Sequence, residues 1–143
     1  MDSELKREII MENYLHPYNK EVIDDKRYIK VNTNNESCID NIDLYILIEN
    51  NVIKDIKFDG EACAISTSAT SIMIKKLIGK TILEVEEFIA NYEKMINGEE
   101  YLKDILEEAL CYDDIHRQQN RKSCALLPYK GILKSLDQYK TQE

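Results

Sequence analysis

The apolar positions of this chain change their spacing twice, and the changes outline the fold. Residues 3–15 carry Leu5, Ile9, Ile10 and Tyr14 on roughly one helical face, and Pro17 stops the helix soon after. Residues 16–20 read as a loop and 28–32 as a short strand. Ile42, Leu44, Ile46 and Ile48 then alternate with Asp43, Tyr45 and Leu47, and a second β-rich run follows from Val52 to Phe58. Between them Asn50-Asn51 predicts a tight hairpin, because asparagine tolerates the positive φ such turns need. After Gly60 the period becomes helical. Ile65, Ala69, Ile72, Met73 and Leu77 form one stripe, ended by Gly79. Thr81-Ile82-Leu83-Glu84 is a capping-box pattern opening a second stripe of Val85, Phe88, Ile89, Tyr92 and Ile96, closed by Gly98. A further helix is expected over about 99–111, a polar loop over 113–122, and a last helix over about 123–139 with Pro128 in its first turns or at a kink. Strands in one block and helices in the next predict an α+β fold: a small antiparallel β-sheet of about three strands covered by helices. No repeat or linker interrupts the chain, so residues 1–143 are read as a single domain.

Composition narrows the function. The 143 residues are 43% hydrophobic, enough for one core, and 27 acidic against 19 basic residues give a net charge of -8. Nucleic acid and anionic membrane surfaces both call for a basic footprint, so neither is an expected partner. No stretch approaches a membrane span, and the N-terminal MDSELKREII lacks the apolar region of a signal peptide. A cytoplasmic location is therefore expected. Thiols stay reduced there, which makes the four cysteines candidates for metal binding or reactivity rather than disulfides.

Three cysteines fall at predicted element boundaries. Cys38 precedes the hairpin, Cys63 sits where the second strand hands over to a helix, and Cys124 opens the final helix. Asp40 stands two residues after Cys38, a spacing that turns both side chains to one side. A predicted helix N-terminus at Cys63 and at Cys124 favours the thiolate, which is both metal ligand and nucleophile. Three sulfurs and a carboxylate oxygen complete a tetrahedral zinc set, and the same thiolates suit iron–sulfur chemistry. Free cysteine is also a common buried filler, so the residues alone leave both accounts open. For Cys111, beside Leu110 in a helical stripe, the filler account is expected. His16 and His116 read as loop residues. The run 66–71 lacks the glycines of a phosphate-binding loop, so helix packing by small side chains is expected there.

Four segments together resemble the SufU-type branch of the SufU/IscU iron–sulfur cluster assembly family. Residues 15–20, LHPYNK, look like its loop after the first helix, and Ser37-Cys38-Ile39-Asp40 looks like its C-G-D motif. Residues 58–66, FDGEACAIS, look like its F-x-G-x-G-C-x-I-S motif, and Arg121-Lys122-Ser123-Cys124-Ala125 looks like R-x-x-C-A. The similarity spans roughly residues 5–135. The branch follows from Ser123 before the third motif cysteine, where IscU-type chains carry histidine, from the absence of L-P-P-V-K, and from the long stretch between Gly98 and Arg121.

The resemblance implies zinc held by Cys38, Asp40, Cys63 and Cys124. It also implies sulfur transfer from a SufS-like cysteine desulfurase, with Cys38, Cys63 and Cys124 as persulfide candidates. Arg121, one turn before Cys124, reads either as support that steers the partner or neutralises the persulfide anion, or as an ordinary surface arginine. Downstream iron–sulfur assembly or acceptor proteins would be further partners. Two alternatives accompany this expectation: a scaffold that binds iron and builds a transient [2Fe–2S] cluster on the same residues, and a purely structural zinc interaction module. Ile39 and Ala62 replace two glycines of the family motifs, a departure expected to bear on ligand geometry more than on fold.

Overall fold

The computed structural model describes residues 1–35 and 39–142, so Cys38 lies outside the described residues. Helix α1 (Ser3–Leu15) precedes strands β1 (Ile29–Asn34), β2 (Asn41–Glu49) and β3 (Val52–Glu61), and helices α2 (Ala64–Leu77), α3 (Ile82–Ile96) and α4 (Gln119–Gln142) follow. The strands form one antiparallel sheet in the order β1-β2-β3. This is the α+β arrangement that the spacing predicts.

The local signals act where expected. Asn50 and Asn51 both take positive φ, 53° and 60°, and turn β2 into β3. Ile42, Leu44, Ile46 and Ile48 are all buried, and so are Tyr45 and Leu47 on the opposite face, so β2 is covered from both sides. The capping box forms in full: Glu84 N–H donates to Thr81 Oγ1 at 3.2 Å and Thr81 N–H to Glu84 Oε1 at 2.9 Å. Every residue of 66–71 is buried in α2, which packs against α1, α4 and β3. The small side chains allow that close approach, and the packing account of this run holds. Helix α4 approaches the sheet closely at Gly131, where a Cβ would lie 2.5 Å from Leu44 Cδ1.

Two expectations need correction. Residues 99–111 form no α-helix; the segment turns tightly and ends in 3₁₀ turns at Glu107–Tyr112 and Ile115–Arg117. Besides Cys111, the buried residues Leu106, Ala109, Tyr112 and Ile115 recur every third position, the 3₁₀ period, whereas Leu102 of the expected α stripe is 59% exposed. Glu107, at φ 48°, also interrupts any continuous helix. The second correction is that α4 begins at Gln119 rather than near 123. Its first turn is polar and solvated, so no apolar stripe announces it, and Pro128 lies in the helix interior. Cys124 is thus one turn inside the helix and gains nothing from an N-terminal dipole.

Candidate metal centre

Three elements meet at one end of the sheet. Asp40 immediately precedes β2, Cys63 is the N-cap of α2, and Cys124 projects from the second turn of α4. Their ligand atoms, one carboxylate oxygen and two sulfurs, all lie within 4.8 Å of one another. Asp40 is 1% exposed and Cys124 2%, while Cys63 is half-buried.

The approach of Asp40 to Cys63 depends on Gly60. At φ 132° it occupies backbone space that side-chain-bearing residues rarely adopt, and a Cβ there would stand 2.1 Å from Asn41 O. β3 can therefore pair tightly with the start of β2, Ile42 facing Gly60, and this delivers Asp40 to the N-terminus of α2. Cys63 N–H then donates to Asp40 Oδ1 at 2.7 Å, and the Cys63 thiol lies 3.8 Å from Oδ2. The Cys63 sulfur itself caps α2, accepting from Ser66 N–H at 3.4 Å.

Cys124 sits in a different environment. Its thiol faces Asn120 O at 3.9 Å. Burial first, and then the neighbouring Cys63 and Asp40, push its pKa up to about 12. Ala62 takes its place without positive φ, since the non-glycine residues with positive φ among those described are Asn19, Asn50, Asn51 and Glu107. Ile39 is 74% exposed. With Tyr14, Leu15, Pro17, Lys20 and Ala62 it lines an open cleft of about 570 Å³ beside the site.

The remaining sequence candidates are spread more widely. Arg121 is exposed in the first turn of α4, three residues before Cys124. His16 is exposed at the end of α1, and His116 is partly buried with Nδ1 2.9 Å from Asp113 O. Cys111 is buried among core residues, where burial raises its pKa well above the ordinary thiol value, consistent with a packing role. Sequence reasoning missed Ser66 as a member of the site. Its hydroxyl donates to Asp40 Oδ2 at 2.7 Å and lies 3.1 Å from Cys124 O and 3.6 Å from Cys63 Sγ. It also missed Asn35, whose N–H donates to Asp40 O and whose amide donates to Ser123 Oγ, both at 3.0 Å.

The donor set fits a tetrahedral thiolate–carboxylate ion. The edges of a zinc tetrahedron built from these ligands are roughly 3.5–3.8 Å, and the Cys63–Asp40 separation is 3.8 Å. Comparisons with known proteins agree with this architecture. Over 133 residues the chain is 32% identical to the zinc-dependent sulfurtransferase SufU of Bacillus subtilis, covering 92% of this chain and 89% of that one. It is 35% identical to the iron–sulfur cluster assembly scaffold protein IscU of Thermotoga maritima over 102 residues, 71% of this chain and 72% of the other. A crystal structure from Fervidobacterium islandicum AW-1, described as a candidate iron–sulfur cluster assembly scaffold protein of the SUF system, superposes with a TM-score of 0.82 at 34% identity. That superposition covers 87% of this chain and 90% of the other. The family match itself runs over residues 5–143, and the chain belongs to the NifU-like N-terminal domain family.

Proposed function

We propose that the protein is a zinc-dependent sulfur acceptor of iron–sulfur cluster biogenesis, taking persulfide sulfur from a cysteine desulfurase in the cytoplasm. The observation that carries this reading is the convergence of a buried carboxylate and two thiols at the edge of an open cleft. Similarity to a SufU over nine-tenths of the chain supports it. Asp40, Cys63 and Cys124 would hold the ion together with Cys38, which follows the same motif. Zinc, when bound, would keep the thiolates deprotonated at neutral pH and shield them from oxidation.

The chain's own residues supply the rest. The cleft beside the site admits a partner's persulfide-bearing loop, with exposed Leu15 and Ile39 as apolar contacts. One of the thiolates Cys38, Cys63 or Cys124 attacks the outer sulfur of the incoming persulfide. A new S–S bond forms on this chain, the desulfurase S–S bond breaks, and the electron pair leaves with the desulfurase thiolate. The exchange involves no net oxidation or reduction. Arg121, at the surface near Cys124, offers a positive charge to the transferred persulfide anion.

A scaffold role is the second reading, favoured by the similarity to the Thermotoga scaffold protein. Metal analysis of protein purified without oxygen, together with turnover of a SufS-like desulfurase, separates the two. One zinc per chain and stimulated turnover support the sulfur acceptor. Iron with acid-labile sulfide would support the scaffold and overturn zinc as the resident ion.

A further inference from the structure

Several lysines of this chain are committed to partners. Lys57 pairs with Glu21 at 2.8 Å, Lys76 with Glu107 and Glu108, and Lys75 Nζ donates to Asn13 Oδ1 at 2.9 Å. Lys20 is exposed and forms no ion pair among the described residues. It lines the open cleft at the metal centre, where Ile39 and Ala62 directly precede Asp40 and Cys63. Among the described residues Lys20 is the one cation of that lining, to which Arg121 does not belong.

The backbone that carries Lys20 is fixed. Asn19 takes φ 57°, a conformation asparagine tolerates, and its Nδ2 donates to Ile56 O at 3.0 Å. Phe58 N–H donates to Asn19 O at 3.1 Å, and Lys20 pairs with Phe58 in a parallel bridge on the edge of β3 away from β2. Gly60 and Glu61 of the cleft follow Phe58 by two and three residues, about 7–10 Å at strand spacing. The four-carbon stem of Lys20 covers much of that distance. A fixed backbone thus delivers an unpaired ammonium to the cleft.

The chemistry of the site calls for such a charge. Asp40 and three thiolates around a divalent ion leave a net charge of about -2. Glu61 adds a carboxylate to the cleft lining, and the chain as a whole carries -8. The terminal sulfur of a persulfide is more acidic than a thiol and is anionic at neutral pH. It would enter this field against repulsion, and a thiolate would then have to attack an anion. An ammonium beside that sulfur offsets both.

Building on the sulfur-acceptor reading above, we propose that Lys20 is a specificity-determining residue that binds the anionic terminal sulfur of the partner's persulfide in the cleft. The chain thereby favours the desulfurase in its sulfur-loaded form. Lys20 keeps its proton throughout, and the exchange of S–S bonds is the one given above.

The test uses two forms of a SufS-like desulfurase that cannot transfer sulfur. In one the active cysteine is oxidised to the sulfonate, a stable anion; in the other it is capped by iodoacetamide to a neutral thioether. Each is titrated with the zinc-loaded chain. The wild type is expected to bind the sulfonate form about tenfold more tightly than the capped form, the scale of one close charge pair across an interface. Lys20→Gln should bind the two forms equally, and Lys20→Arg should restore most of the preference. With active desulfurase, Lys20→Gln should lower kcat/KM about tenfold. Its zinc affinity, read by chelator competition, should match the wild type, because Lys20 is not among the ligands.

No preference in the wild type, or a preference that survives in Lys20→Gln, overturns the proposal. Equal weakening toward both forms overturns it too, since Lys20 would then meet the partner's surface rather than its sulfur. Zinc lost from Lys20→Gln would mean that the residue acts through the structure of the site, and the proposal falls. All these outcomes leave the sulfur-acceptor reading standing. A wild-type chain that accepts no sulfur from the active desulfurase overturns that reading and this inference with it.

Discussion

Replacing Gly60 by alanine tests whether the strand ladder positions Asp40. Two costs add at this residue. A side chain must adopt φ 132°, a strained region that costs on the order of 1–3 kcal/mol. The new Cβ would also lie 2.1 Å from Asn41 O and 3.1 Å from Ile42 Cα. Both are backbone atoms of β2, so no flexible side chain can yield, and forced overpacking adds about 1–3 kcal/mol. The expected loss is thus roughly 3 kcal/mol or more, about 6–12 °C in thermal midpoint for a chain of this size. Gly79 supplies the control. Its φ is 91°, but nothing lies within 4 Å of a Cβ placed there, so Gly79→Ala bears the strain without the clash. Urea denaturation of the zinc-free proteins gives the two losses, and the difference isolates the clash with β2. Asn41 directly follows Asp40, so Gly60→Ala should also release zinc to a chelator more readily than Gly79→Ala. Equal stability losses and equal zinc retention in the two variants would refute the reasoning.

Other outcomes follow from the same geometry. Cys38→Ala, Cys63→Ala and Cys124→Ala are each expected to lose most of the bound metal in elemental analysis, whereas Cys111→Ala keeps it; equal loss in the Cys111 variant would redraw the site. Removing the metal with a strong chelator should lower the thermal midpoint, because the ligands are gathered only in the folded chain. An unchanged midpoint after complete removal would mean that the site contributes nothing to folding. Asp40→Cys should retain metal against a chelator at least as well as the wild type while supporting desulfurase turnover poorly, since a four-thiolate set closes the site in the structural manner. Full turnover by that variant would remove ligand exchange at Asp40 from the mechanism.

Much of the fold was legible because its signals are local. The β2–β3 hairpin rests on Asn50-Asn51 and a period of two, and α3 rests on a capping box that Thr81 and Glu84 define. The segment after Gly98 was not legible. Leu102, Ile105, Leu106, Ala109 and Leu110 match a helical stripe, but besides Cys111 the structure buries Leu106, Ala109, Tyr112 and Ile115, which recur every third residue. Over so short a span the two periods share members, and tertiary packing selects between them. The start of α4 was hidden for a different reason. Gln119-Asn120-Arg121-Lys122 forms a polar first turn, without apolar residues to mark it.

For the site, the residues with recognisable chemistry were visible, and the groups that arrange them were not. Asp40, Cys63 and Cys124 stand out as a carboxylate and two thiols at motif positions, and the structure brings them together. Ser66 closes one of the motif segments but carries no metal-ligating group to mark its role, and its partners lie 26 and 58 positions away. No spacing rule reaches that far. Asn13 in α1 shows the same difficulty, since its Oδ1 accepts from Ser71 Oγ at 2.8 Å and Lys75 Nζ at 2.9 Å across the α1–α2 contact. Pro128 carries the opposite lesson. From sequence it signals only a helix start or a kink, a local disturbance of α4. In the folded chain it offers no N–H four residues after Cys124, and the hydroxyl of Ser66, 3.1 Å from the Cys124 carbonyl, also donates to Asp40 Oδ2. A backbone defect in one helix and a carboxylate before a strand thereby share one hydrogen. That coupling arises only once α4, α2 and the start of β2 are packed together.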